Sequence, residues 1–456
     1  MMGNDQEALM SQPESTALFT DHYELTMLET ALASGVANYP AIFEVFTRSL
    51  PNGRRYGVFA GVPRALEAIR NFRFDADDIN WLLCKGIVSD STAKWLSNYH
   101  FSGTVRGYAE GEVYFPGSPV FTVEAPFAEA LLLETVLLSI LTDDSAIATT
   151  AARIAHAAQG RRLIDMGSRR TNEYKAVTAA RAAYIGGFDA TSNLRAERIY
   201  GVPGAGTAAH ALTQAHASEA EAFAAQVATF GAATTLLVDT YDTHAGVDAA
   251  VAAAGPSLGG IRIDSGDLLA EATWARNRLN ELGAHETKIL VSGNLNEYEI
   301  DRLVRLDELH AIDGFGVGEN LVSGGLCPQT GFVYKLVAIA DGGGDTPSFR
   351  PVAKRSVGKA TVGGRKYAYR AYSSLASLTR AAAELILTDD SDKNVFLEYA
   401  WATPLQVEYP IRGSETTTLE SARQNCARAI DSLPGQALDL SPGEPVIPTR
   451  RVGSES

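Results

Sequence analysis

Asp165-Met-Gly-Ser-Arg169-Arg170, Thr191-Ser192-Asn193, Gly206-Thr207-Ala-Ala-His210, Asp239-Thr-Tyr-Asp242-Thr-His244 and Arg262-Ile-Asp264-Ser265-Gly266-Asp267 follow one another along the chain. Each closes a short apolar run with polar residues suited to phosphate or proton chemistry. Between them lie Ala-rich segments with helical spacing, Ala176 to Ile185, Glu219 to Phe230 and Leu268 to Leu282. Strand, polar strand end and helix in repetition is the pattern of a parallel sheet. Polar residues at the C-terminal ends of successive strands read as a barrel with its active site on that face. One such cluster would be an accident of loop composition; the repetition decides the fold class.

Working outward, 456 residues can bury a large core and favour two domains. Hydrophobic content of 46% with 20% charged residues is that of an ordinary globular protein. The net charge of -15 argues against nucleic acid as the main partner, because backbone phosphates require a basic face. A small phosphorylated substrate needs only a local nest of donors and stays compatible. Cys84, Cys327 and Cys426 form no CxxC spacing, which points to a reducing compartment without structural zinc. No apolar run reaches the length of a membrane span, and the N-terminus lacks signal-peptide character, so the expected location is cytoplasmic.

Residues 1 to about 16 are expected to be disordered. Thr20 or Asp21 is an N-cap for a helix through Leu28, and Ala41 to Phe46 alternates as a strand. Gly103 to Val123 holds two short strand-like runs broken by Gly111-Glu112 and Pro116-Gly117, the texture of a small sheet domain. Leu131 to Ala158 is a long periodic helix leading into the repeats. Beyond Asp267 come a strand ending in Ser292-Gly293-Asn294, a helix from Glu297 to Leu306, and the strand end Gly314-Phe-Gly316-Val-Gly318. After Gly331-Phe-Val-Tyr-Lys335-Leu-Val-Ala the texture changes: Gly342 to Asp345 reads as a flexible break, Arg350 to Lys366 as hairpin-like, and the stretch from Leu433 as a surface wrap. The expected division is residues 1–130 and 341–456 in a sheet domain made from both chain ends, with 131–340 forming the barrel.

A lone histidine at a strand end is more often structural than catalytic. His210 is accompanied by Arg169, Arg170, Asp239, Asp242 and Asp264 from neighbouring strand ends, which tips the balance toward a site. Neutral imidazole can take a phosphoryl group, and a carboxylate on its other nitrogen would fix the tautomer. Asp242 and Asp267 are equally well explained as helix caps. Asp239 and Asp264 directly follow apolar runs and are better candidates for magnesium or ribose hydroxyls. Glycines 314, 316 and 318, weak evidence alone, stand at a late strand end where phosphates sit on backbone N–H groups. An arginine inside the short strand Gly260 to Ile263 must find an anion, so Arg262 suits a carboxylate or phosphate ligand.

Seven stretches resemble the nicotinate phosphoribosyltransferase family: TDHYELTM (Thr20 to Met27), DMGSRRTNE, RAAYIGGFDATSN (Arg181 to Asn193), GAGTAAHA, LVDTYDT, IRIDSGDLL and GFVYKLV. The resemblance covers roughly residues 18 to 410. It implies an irregular α/β barrel combined with a smaller α/β sandwich domain built from both chain ends, working as a homodimer with shared sites. It further implies formation of nicotinate mononucleotide from nicotinate and 5-phosphoribosyl 1-pyrophosphate, coupled to ATP hydrolysis with magnesium. On that likeness His210 is a transient phosphohistidine, and Tyr23 stacks on the pyridine ring from the partner subunit. Thr207 and Arg262 lie near the nicotinate. Arg169, Ser292, Gly293 and Gly316 to Gly318 hold phosphates. From their own positions, not from the likeness, Asp239 and Asp264 are expected to serve catalysis, Asp264 with a magnesium contact.

Three positions depart from the family pattern. Ala190 replaces a glycine, Thr142-Asp143-Asp144 replaces an Asn-containing turn, and Glu319 replaces a threonine beside the expected phosphate. Ser192 stands where nicotinamide-using relatives carry an aspartate, which implies preference for the acid over the amide. The readings held against this are a nicotinamide-using relative, another sugar-phosphate barrel enzyme, and a ligand-binding relative without turnover, the last favoured only by Glu319.

Overall fold

The computed structural model describes residues 15–341, 347–356, 359, 361–373, 380–388, 393–411 and 418–452. The anticipated break at Gly342 to Asp345, and the N-terminal residues up to 14, lie outside them. The chain divides into two compact units, one of residues 146–328 with 438–441 and one of 1–145, 329–437 and 442–456.

The first unit is the repeated region. Six short strands, Arg162–Asp165, Ala190–Thr191, Thr235–Leu237, Gly260–Ile263, Lys288–Gly293 and Gly314–Val317, form one parallel sheet. Numbered one to six along the chain, they lie in the order two, one, six, five, four, three. Strand one therefore pairs with both two and six, the ring order of a barrel, and the sheet curls with its one gap between two and three. Strand two is two residues long, and Pro203–Ala205 extends the ring beside it: Thr191 N donates to Pro203 O and Ala205 N to Thr191 O, each 2.9 Å. That is the irregularity of the barrel, and it delivers the chain directly to Thr207 and His210.

Helices Glu173–Ile185, Glu219–Phe230, Thr243–Ala254, Leu268–Glu281 and Glu297–Leu306 separate the strands, close to the sequence expectation. Small residues let them approach closely. A Cβ at Gly246 would stand 2.1 Å from Val238 O, so only glycine lets the helix after strand three sit this near its end. Leu163, Leu236, Ile261, Ile263, Ile289, Val291, Phe315 and Val317 are all buried, as expected for parallel strands covered on both faces.

The second unit is composite. Its six-stranded sheet runs in the order Phe349–Pro351, Phe332–Ala340, Pro40–Thr47, Phe121–Pro126, Thr104–Tyr108, Gln406–Tyr409, all antiparallel, so three N-terminal strands are flanked on both sides by strands from the C-terminal part of the chain. Phe43 stacks on Tyr334 across the pair Pro40–Thr47 and Phe332–Ala340, with centroids 4.9 Å apart. A four-stranded sheet, Trp401–Pro404, Lys366–Tyr372, Ala381–Thr388 and Thr449–Val452, completes it. This unit holds more of the chain than the barrel, against the expectation of a smaller companion. Part of the reason is a set of helices at Val62–Arg70, Ala76–Cys84 and Asp90–Leu96 that the motifs did not announce. The proposed hairpin over residues 350 to 366 resolves differently: Lys354 and Thr361 exchange hydrogen bonds, but the strands flanking them join different sheets. The terminal stretch supplies a parallel edge strand, Thr449–Val452, instead of a loose wrap.

In the same unit, the helix His22–Ser34 follows Asp21, whose side chain makes no capping bond. The Thr20 hydroxyl is given instead to Glu24, which is fully buried and also accepts from Thr135 through both its backbone N–H (3.0 Å) and its hydroxyl. Burial pushes the Glu24 carboxyl up to about 7 despite those donors. Tyr23, the neighbouring residue, is 44% exposed, and its phenol is pushed up to about 12 by burial of the hydroxyl and by Glu134 and Glu24.

Candidate active site at the strand ends

Strand one ends in Asp165, which is buried and takes two donors, the Thr191 hydroxyl at 2.7 Å and Gly167 N at 2.8 Å. Burial raises its carboxyl above the usual carboxylate range, and the two donors oppose the rise. Asp165 thereby ties strand one to strand two. Its backbone oxygen accepts from Ser192 N at 2.8 Å, and Asn193 reaches back to the Ser168 hydroxyl at 3.1 Å. The loop that carries Arg169 and Arg170 is in this way fixed beside Ser192. Both arginines and Ser192 are exposed.

Across the ring, four strand ends meet through side chains. Arg262, 9% exposed, donates from Nη1 to the Thr207 hydroxyl at 2.5 Å, while its Nη2 lies 3.9 Å from Asp264 Oδ1. Its Nε is buried and has no partner. Burial lowers the guanidinium's pKa; Asp264 and Asp239 oppose that, and Arg169 adds to it. The cation is therefore set inward among too few anions. Asp264 also accepts the hydroxyl of Ser292 from the next strand.

Asp239 ends the run of strand three with a side chain 1% exposed. One of its oxygens, Oδ2, accepts Asp264 N at 2.8 Å and the Ser265 hydroxyl at 2.6 Å. The other, Oδ1, is buried without a hydrogen bond and lies 3.9 Å from Nε2 of His210. Nδ1 of that imidazole stands 3.2 Å from the Thr240 hydroxyl. His210 opens the short helix His210–Gln214 and its side chain is 38% exposed, open to a reactant on one side and backed by a carboxylate on the other.

The glycine-rich end of strand six runs beside the end of strand five, with Ser292 paired to Gly316 and Gly293 to Val317. A Cβ at Gly316 would strike Met166 Sδ at 2.5 Å, so that position cannot carry a side chain without a shift. Gly293, at φ +140, is held to glycine by its backbone. Gly318 precedes the short helix Glu319–Val322, and Glu319 itself is exposed.

Thr207, His210, Asp239, Arg262, Asp264 and Ser292 are thus joined by direct contacts, with Gly293, Gly316 and Gly318 on the adjacent register and Arg169 acting on Arg262 through its charge. Tyr23 belongs to the other unit. Asp242 and Asp267 are helix caps, accepting Ala245 N and the amides of Leu269 and Ala270. The motifs did not single out Thr240, a polar neighbour by contact alone, or Glu219. The carboxyl of Glu219 is raised by burial and by Asp239 and Asp242, and its Oε1 is buried without a partner. Among the described residues no group of three or more His, Cys, Asp or Glu could hold a metal ion. Asp264, 31% exposed, suits magnesium only as a single carboxylate sharing the ion with phosphate oxygens, the usual manner of that ion.

Comparison with known proteins identifies the family. Residues 18–142 match the model for the nicotinate phosphoribosyltransferase N-terminal domain, and residues 161–341 that for the nicotinate phosphoribosyltransferase family. The nicotinate phosphoribosyltransferase pncB1 of Mycobacterium tuberculosis is 49% identical over 447 residues, 96% of each chain. The nicotinate phosphoribosyltransferase of Bacillus subtilis is 39% identical over 364 residues, 78% of this chain and 73% of that one. The crystal structure of human nicotinic acid phosphoribosyltransferase superposes with a TM-score of 0.79, with 25% identity over 96% of this chain and 98% of that one.

Proposed function

The chain belongs to the nicotinate phosphoribosyltransferase family, and from that premise we infer that it joins nicotinate to 5-phosphoribosyl 1-pyrophosphate, giving nicotinate mononucleotide and pyrophosphate. It is a type II phosphoribosyltransferase of pyridine nucleotide biosynthesis. The observation that carries the substrate assignment is Arg262: a buried guanidinium whose Nε lacks a partner, held by Thr207 at the mouth of the ring. A planar fork with an unused donor suits a carboxylate, and the nicotinate carboxylate is the anion that distinguishes this substrate from its amide.

The pyridine nitrogen attacks the ribose C1, the C1–O bond to pyrophosphate breaks, and the electron pair leaves with pyrophosphate. Positive charge grows on the sugar as that bond lengthens, so positioning and charge stabilisation supply most of the rate. Asp239 and Asp264 are the carboxylates nearest that charge. Arg169, with Ser292, Gly293, Gly316 and Gly318, receives the phosphates and ribose, Glu319 stands at the edge of that nest, and Ser192, on the pyridine side, does not repel the acid as an aspartate would. Magnesium, held by Asp264 and the substrate's own phosphates, would neutralise charge on the leaving pyrophosphate.

ATP enters through His210. A proton kept on Nε2 faces Asp239 Oδ1, which leaves Nδ1, now against Thr240, as the nitrogen that takes the γ-phosphoryl group while ADP departs. At 3.9 Å the Asp239 contact is longer than a hydrogen bond, and catalytic hydrogen bonds of this kind tighten when the reactant is in place. Tyr23 is assigned to stack on the pyridine ring from the second subunit of a homodimer. We place the enzyme in the cytoplasm; separately, no helix among the described residues is long and apolar enough to cross a membrane. The test is mononucleotide formation from nicotinate and phosphoribosyl pyrophosphate, with and without ATP, and with nicotinamide in nicotinate's place. Equal turnover of the amide would overturn the assignment.

A further inference from the structure

In the Asp239-Thr-Tyr-Asp-Thr-His244 stretch, His244 is among the residues that this chemistry leaves unused. His244 stands in the first turn of the helix Thr243–Ala254, and its imidazole lies flat on the Trp274 indole, centroids 3.6 Å apart and planes 8° from parallel. Its Nε2 is 3.3 Å from Glu271 Oε2, on the facing helix Leu268–Glu281. That oxygen is buried and accepts no hydrogen bond in this arrangement. A buried carboxylate oxygen without a donor is costly, and a proton on the imidazole is the donor within reach.

Glu271 is also bound up with the loop before its helix. Its N–H donates to Asp267 O at 2.8 Å, and its Cγ would meet a Cβ at Gly266 at 3.5 Å. This loop supplies the Asp264 N–H and the Ser265 hydroxyl that hold Asp239, and the Asp264 carboxylate that meets Ser292 and Arg262. A second ion pair crosses the same two helices, Arg278 to Asp248, through Nε at 2.7 Å and Nη2 at 3.2 Å. A guanidinium stays charged at any pH the protein meets, whereas an imidazole does not. Of the two cross-helix pairs, the conditional one is the one beside the loop.

We propose that His244 and Glu271 are positioning residues whose ion pair, closed when His244 carries a proton, fixes the Asp264–Asp267 loop in the geometry that receives the phosphoribosyl substrate. The proposal rests on the role assigned above to Asp264. The other charged groups around the pair are Asp242 and Asp248 on its own helix and Asp267, Arg278 and Glu281 on the facing one; Arg302 acts on Asp267 from the helix beyond. Glu219, on the helix Glu219–Phe230 packed against Thr243–Ala254, acts on Asp242. Among these side chains an imidazole is the one whose ordinary charge change falls near neutrality.

The expected result is a KM for phosphoribosyl pyrophosphate that rises about threefold as pH is raised from where imidazoles carry a proton to where they do not, with kcat little changed, as for loss of one partly exposed ion pair. Glu271→Gln, which keeps the shape, and His244→Phe, which keeps the stack, should both hold KM at its high-pH value throughout. A parent KM independent of pH, or a slope that both variants retain, overturns the proposal. Trp274 provides a readout that needs no turnover, because a protonated imidazole against indole quenches its emission. The emission difference between parent and Trp274→Phe should titrate with His244, and that titration should move in Glu271→Gln. A titration unmoved by Glu271→Gln overturns the clamp. A parent that titrates but forms no nucleotide would instead sink the functional reading.

Discussion

Asp239 divides its two oxygens between two tasks: Oδ2 holds the Asp264 amide and the Ser265 hydroxyl, and Oδ1 is left bare 3.9 Å from Nε2 of His210. The first task holds the loop; the second is the one that, on the function proposed above, sets the proton on the imidazole. Asp239→Asn keeps the shape and removes the charge that favours the Nε2–H tautomer. It should reduce phosphoryl transfer from ATP to His210 by about a hundredfold, within the range for loss of a positioned acid–base partner. Turnover without ATP should change far less. The measurement is incorporation of an acid-labile, base-stable label from γ-phosphate-labelled ATP. His210→Ala should lose both the label and the ATP stimulation while melting near the parent. Stimulation that survives in His210→Ala would remove the histidine from the coupling.

Arg262 should matter for the acid and not for the amide. Losing a charge-assisted contact to a carboxylate costs about 2 kcal/mol, or about thirtyfold in affinity. Arg262→Gln should therefore raise KM for nicotinate by that order, while the weak turnover of nicotinamide stays level or improves. Arg262→Lys retains the charge without the fork and should fall between. A parallel loss for both substrates would mean that the guanidinium does not meet the carboxylate.

Glu24 gives a pH dependence of stability whose sign can be worked out. Its carboxyl is raised to about 7 in the folded chain from an ordinary value near 4.5, chiefly by burial. The folded state thus holds the proton more tightly than the unfolded one between those values. Stability contributed by this group is complete below about 4.5, falls as pH rises through the window, and levels off above about 7. Glu24→Gln can still accept from Thr135 and can donate to Thr20, without the charge. Relative to the parent it should gain about 2 kcal/mol between pH 5 and pH 8, seen as a widening gap of several degrees between thermal midpoints. A gap that stays constant across that range would contradict the buried-carboxylate account.

The barrel was legible in the sequence because its strand ends recur in order, and because Asp239 and Arg262 break apolar runs where a structural residue would not. The gap between strands two and three was not legible, since Pro203–Ala205 pairs with Thr191 in a segment with no strand pattern. Thr240 and Glu219 escaped for a different reason: one is a hydroxyl beside a more conspicuous aspartate, and the other looks like any acidic residue in a helix's first turn. Only distance to His210 and Asp239 gives them meaning. The composite unit was anticipated as made from both chain ends, but its extent depends on pairing Pro40–Thr47 with Phe332–Ala340, and register across such a separation leaves no local trace.

Glu319 is the departure that bears on phosphate binding. It follows Gly318 at the head of the helix Glu319–Val322, and its side chain is exposed. Two like charges about 4 Å apart repel by roughly 4 kcal/mol at an effective dielectric near 20, so a carboxylate turned into the glycine nest would nearly abolish phosphate binding. A side chain turned to water avoids that repulsion and leaves the backbone donors intact. The remaining loss is the hydrogen bond that a threonine hydroxyl would make, about 0.5 to 1.5 kcal/mol. Glu319→Thr should therefore tighten phosphoribosyl pyrophosphate by about threefold to tenfold with kcat little changed, measured as KM and by direct titration. Unchanged affinity would mean that this position does not face the phosphate. A gain of about a thousandfold would mean that the natural carboxylate occupies the nest, since that factor corresponds to the full repulsion. The chain would then be better read as a binder whose turnover is suppressed at this one residue.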